Sequence, residues 1–167
     1  MYLVMRSKNI LSIVAFIVAF GLSAAFANIF ITETQTETAD KITVLISRDK
    51  NNGRESDRAF YEYGAAIFSS SDNSAISGYA KAVEWYVEQS SSMDASDLPS
   101  DFQIKWRAHM KAWRNCSDFF NRMKKPSNRA ALTGKELKEV EAFHNREISR
   151  TWEEVLQNGA NYGADVY

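Results

Sequence analysis

Seven positions in the second half of the chain fix most of what it can become. Phe102, Trp106, His109, Trp113, Cys116, Phe120 and Met123 follow one another in steps of four and three without interruption. A strand, with its period of two, would throw the members three apart onto opposite faces, whereas a helix of 3.6 residues per turn carries all of them on one. Ser100 and Gln103 stand at capping-box spacing just before the stripe, so the helix is expected to start there. Pro126 marks the turn that follows.

A matching stripe lies downstream. Leu137, Val140, His144, Ile148, Trp152 and Val155 repeat at helical spacing, Thr133 and Glu136 form a second capping box, and Gly159 is read as the stop. Upstream, Ile76, Tyr79, Val83, Tyr86 and Val87 make a third stripe. From about Ser56, Phe60, Tyr63, Gly64, Ile67 and Phe68 make a fourth. Both prolines fall between these segments, and Gly64 and Gly78 fall within them. The expected fold is therefore all-α, an antiparallel helical bundle of about four helices over residues 58–167. The segments around Trp113 and Ile148 are antiparallel neighbours in it. Its expected core comprises Phe102, Trp106, Trp113, Cys116, Phe120, Leu137, Val140, Ile148, Trp152 and Val155. Residues 161–167 are expected to trail as a tail.

The first third of the chain is different. Arg6 and Lys8 precede a 23-residue run, Ile10 to Thr32, that carries no formal charge. A basic flank, an apolar stretch and the small residues Ala25 and Ala27 are the layout of a secretory signal cleaved after Ala27. The competing reading is an uncleaved anchor, since about 20 apolar residues span a bilayer. Either places the remainder outside the cytoplasm, in the periplasm, extracellularly or tethered at the cell envelope. Residues 1–27 are thus read as signal peptide or membrane anchor, and residues 28–57 as an extended arm. Within that arm Thr32 to Thr38 is polar and solvated, and Ile42 to Ser47 is a β-branched run suited to a strand.

Composition removes several function classes. With 45% hydrophobic residues the chain is no disordered tether, and one Cys excludes an internal disulfide framework. Cys116 itself is expected as a buried free thiol, because unpaired Cys behaves as a small hydrophobe. The net charge of −1 gives no bias toward nucleic acid.

That charge is unevenly spread. Residues 101–129 hold eight basic side chains against two acidic ones, while residues 28–100 hold six against twelve and residues 130–167 four against seven. Lys105, Arg107, Lys111, Arg114, Arg122, Lys124, Lys125 and Arg129 are candidates for a surface meeting an acidic partner or anionic membrane. The plainer reading, favoured on sequence, is a basic helix packed among acidic ones.

His109 and His144 are the two histidines, each on a major stripe. They are the candidate haem or ligand contacts, and no covalent haem motif accompanies them. Glu141 and His144 have the Glu-x-x-His spacing of di-iron bundles, but Trp106 stands where the second motif needs its carboxylate. No metal site and no cofactor is expected. No nucleophile elbow, phosphate loop or zinc-protease motif occurs, so the reading leans against an enzyme. The leading expectation is an exported or single-pass envelope protein with a helical interaction or scaffold domain. The alternative is a bundle that binds a small ligand or haem in its core, and an enzyme comes third.

Overall fold

The computed structural model describes residues 34–56 and 73–167. The signal or anchor segment, its Ala27 cleavage point and the helix expected around Phe60 to Phe68 lie outside these residues. The chain divides into two compact units, Met1–Glu37 and Thr38–Tyr167. Of the first, only residues 34–37 are described, and they are helical.

The second unit is helical throughout its regular structure, with no strand among the described residues. It contains α1 (residues 38–56), α2 (Asn73–Ser91), α3 (Ser100–Met123), the single turn α4 (Pro126–Ala130) and α5 (Gly134–Asn161). Helix α3 is the central element, packing on both α2 and α5. Asp101 meets Tyr162, Lys105 meets Glu154, His109 meets Thr151 and Phe119 meets His144, so α3 and α5 run antiparallel. Tyr79 on Phe120 and Tyr86 on Trp113 set the same relation between α2 and α3.

The expected stripe of α3 is its buried face. Phe102, Trp106, His109, Cys116, Phe120 and Met123 are buried and Trp113 is half-buried. On α5, Leu137 and Val155 are buried, while Val140, Ile148 and Trp152 are half-buried and pack against the core. The apolar interior has two parts. One gathers α1, Tyr86, Leu98, the first half of α3 and the end of α5; the other gathers Ile76, Tyr79 and Val83 with Cys116, Phe120 and Leu137. Cys116 is a buried free thiol, and burial pushes its pKa up to about 12.

Four local expectations need correction. Residues 34–56 are a helix and not an extended arm, and Ile42 to Ser47 is no strand. Ile42, Leu45, Ile46 and Asp49 recur at helical spacing and are all buried, so tertiary burial of that stripe overrides the β-preference of the branched run. The Ser100 box does not form. Pro99 is the N-cap, Ser100 is already helical, and the Gln103 amide instead donates to the carbonyls of Ser96 and Leu98 at 2.9 and 2.8 Å. The Thr133–Glu136 box does form.

Gly159 does not end its helix, which runs on to Asn161. Side chains of α1 pack against its Cβ-less backbone: a methyl there would lie 3.1 Å from both Ile42 Cγ2 and Ile46 Cδ1. Finally, residues 162–167 are no free tail. Ala164 and Val166 are buried, the Asp165 amide donates to Thr43 Oγ1, and Lys50 Nζ donates to the Val166 carbonyl.

Candidate functional site

The polar groups buried where α1, α2, α3 and α5 meet form one connected network. Asp49 of α1, 3% exposed, accepts the Tyr86 hydroxyl at 2.8 Å on each carboxylate oxygen. Ser90, one turn further along α2, also bonds to Asp49 and accepts from Asn52. On the other side lies His109, 2% exposed, with Nε2 at 3.9 Å from Asp49 Oδ2.

The protonation of His109 follows from its neighbours. Trp113 Nε1 donates to His109 Nε2 at 3.2 Å, so Nε2 is the acceptor nitrogen and carries no proton. The proton is assigned to Nδ1, which lies 3.1 Å from Thr151 Oγ1. The Thr151 hydroxyl in turn donates a hydrogen bond shared by the carbonyls of Glu147 and Ile148. The imidazole is therefore neutral and makes no ion pair with Asp49, consistent with burial lowering its pKa to about 4. A bond to the Ile148 backbone works in the opposite sense.

Burial also dominates at the acidic end. It pushes the Asp49 carboxyl above the usual range, opposed by the donors Ser90 and Tyr86. Tyr86 is driven upward by burial and then by the Asp49 charge, so its phenol stays a donor. Among the described residues no Lys or Arg reaches Asp49 as an ion-pair partner.

This network opens to solvent through a cavity of about 260 Å³ lined by Asp49, Lys50, Gly53, Tyr86, His109, Trp113, Ile148, Ser149 and Trp152. Its walls are aromatic: the Tyr86 and Trp113 rings lie 4.3 Å apart, and Trp152 lies 5.0 Å from the His109 ring. Lys50 stands in the lining with its ammonium turned to the Val166 carbonyl at 2.8 Å.

The two histidines do not share this site. His144 packs against Phe119 and Phe143 and lines a separate groove of about 260 Å³ with Lys111, Ala112 and Glu147. The α3–α5 register sets His109 opposite Thr151, seven residues from His144, which is about 10 Å of helix rise. One group cannot be ligated axially by both from these positions. Among the described residues no cluster of three or more His, Cys, Asp or Glu side chains could hold a metal ion.

The eight basic candidates differ in their surroundings. Lys105 pairs with Glu154 of α5 and Lys124 reaches Glu84 of α2, whereas Lys111 lies in the His144 groove. Arg107 and Arg114 flank the α2–α3 loop, Arg122 and Lys125 are exposed, and Arg129 is half-buried. Asp49 and Thr151 were not singled out in the sequence, and Tyr86 appeared there only as an apolar stripe member. The signal that could have found Asp49 is a carboxylate at the fourth place of the Ile42, Leu45, Ile46 stripe.

No family model, no curated protein and no solved structure matches this chain. Among the described residues no helix is long and apolar enough to cross a membrane.

Proposed function

We propose that this chain is a binding protein of the cell envelope whose helical domain holds a small organic cation with an apolar body in the Asp49–His109 cavity. The observation that carries the reading is a buried carboxylate, unmatched by Lys or Arg among the described residues, at the floor of an aromatic-walled cavity. An ammonium group would supply the missing charge, and the Trp113, Trp152 and Tyr86 rings would hold the attached hydrocarbon and attract the cation. Binding suits this site better than catalysis, because both ring nitrogens of His109 are committed to protein partners. Envelope placement rests on Arg6, Lys8 and the uncharged run to Thr32.

Benzylammonium, benzyl alcohol and benzoate share a body and differ in charge, so titration calorimetry with these three on the full-length chain tests the reading. The cation should bind tightest, and Asp49→Asn should remove its advantage while Trp152→Ala weakens it. Equal affinity for all three, or none, would overturn the proposal.

A scaffold role, the second reading, is favoured by Ile104 and Phe143, which stay 57% and 52% exposed on α3 and α5. Replacing both with Glu should then abolish co-purification of a protein partner and leave benzylammonium binding unchanged.

A further inference from the structure

A second cavity has the opposite electrostatic character. It measures about 280 Å³ and lies under the loop joining α2 to α3. Its floor is Trp106 and Met110, both buried, with Met93 beside them. Arg107 and Arg114 stand on one face of α3, seven residues and about 10 Å of rise apart, and both line the opening. Among the described residues no acidic side chain lines it.

The two guanidinium groups are held in place by neutral oxygens. Arg107 Nη1 donates to Gln103 Oε1 and Arg114 Nη1 to Ser91 Oγ, each at 3.1 Å. Each bond uses one of the five N–H donors of its side chain. Among the described residues neither Arg has a carboxylate partner, in contrast to Lys105 on the same helix and Lys124 just past its end. The nearby loop acids turn elsewhere: Asp94 and Asp97 line a different cavity together with Lys41 and Arg48. Ser91 ends α2, whose terminal carbonyls attract Arg114, but that partial charge leaves most of the guanidinium's charge unmatched.

We propose that this cavity binds an anionic amphiphile, with a phosphate or carboxylate head between Arg107 and Arg114 and an apolar body over Trp106, Met93 and Met110. A planar guanidinium fork matches such oxyanions two bonds at a time, and the buried thioether and indole floor accepts a short chain. Phospholipid headgroups and soluble phosphate monoesters share this chemistry.

Hexyl phosphate, inorganic phosphate and hexanol are the probes, titrated calorimetrically into the full-length chain. Hexyl phosphate should bind tightest of the three. Arg107→Gln with Arg114→Gln should weaken it at least ten-fold. Lys111→Gln with Lys125→Gln removes the same charge outside the cavity and should change affinity less than two-fold. If the double Arg variant has a lowered melting temperature, Arg107→Gln alone should still cost at least three-fold.

Displacement of hexyl phosphate by phosphatidylglycerol vesicles would assign the natural ligand to lipid, and failure to displace it would assign a soluble monoester. No binding of hexyl phosphate at millimolar concentration would overturn the proposal. So would equal losses in both double variants, or hexyl phosphate binding no tighter than inorganic phosphate.

Discussion

Ile46→Ala is the sharpest probe of how α1 belongs to the domain. Ile46 is fully buried, and its Cδ1 lies 3.1 Å from the point a Gly159 Cβ would occupy. Truncation removes three carbons from a site walled by helix backbone at Gly159 and by Val155 and Val166. Backbone of two packed helices collapses poorly into a void. The cost should therefore sit in the middle of the usual range for buried Ile→Ala, about 3–4 kcal/mol. At roughly 3 °C per kcal/mol for a chain of this size, the melting temperature should fall by roughly 10 °C. Val44, on the same helix but 50% exposed, supplies the control, and Val44→Ala should cost less than about 0.5 kcal/mol.

The contact itself is tested by a cycle with Gly159→Ala. In the parent chain the added methyl gains about 1 kcal/mol of helix propensity but crowds both Ile42 and Ile46. Once Ile46 is truncated, half of that crowding is gone. Gly159→Ala should be more favourable in the Ile46→Ala background by about 0.5–2 kcal/mol. Thermal melts followed by far-ultraviolet circular dichroism read all four proteins. A small shift for Ile46→Ala, matching Val44→Ala, would refute the packing of α1, and strict additivity with Gly159→Ala would refute the contact.

Other outcomes follow from the buried network and the caps. The folded pKa of His109 is lowered to about 4 from 6.5, so the unfolded chain binds the extra proton and stability should fall as pH drops from 6.5 toward 4. His144 is also lowered, by burial and then by Arg122, and adds to this slope. Asp49, raised by burial, opposes it at the acid end. Denaturant melts of His109→Gln between pH 7 and 5 should show a shallower slope than the parent, and an unchanged slope would remove His109 as the source. Tyr86→Phe takes away a donor to a buried carboxylate and should cost about 1–3 kcal/mol by urea unfolding. Thr133→Ala deletes the hydroxyl that accepts the Glu136 amide and should cost about 1 kcal/mol, read as a lower melting temperature.

Helix α3 could be read from sequence because its stripe is long and aromatic, and nearly every member turns out buried. The α5 cap could be read because the Thr133–Glu136 pattern is local and has no competitor. Helix α1 could not, since β-branched Ile42, Thr43, Val44 and Ile46 mimic a strand and the stripe runs into the polar Asp49 and Ser56. What decides between the readings is the surface offered by Gly159, Val155 and Val166, more than a hundred residues away. The candidate site was half visible. His109 drew attention as an imidazole on an apolar face, but its relation to Asp49, Tyr86 and Thr151 depends on helix register. Gly159 looked like a stop signal for the same reason: close packing with α1 is a tertiary fact that local sequence does not carry.

The most direct test of the binding site is the ¹H–¹⁵N spectrum of the four tryptophan indoles during titration with benzylammonium. The Trp113 and Trp152 resonances should shift with saturation, that of Trp85, placed away from the cavity, should not, and Asp49→Asn should abolish the shifts. Unmoved indoles at saturating benzylammonium, or shifts that persist undiminished in Asp49→Asn, would contradict the assignment of the Asp49–His109 cavity as a cation site.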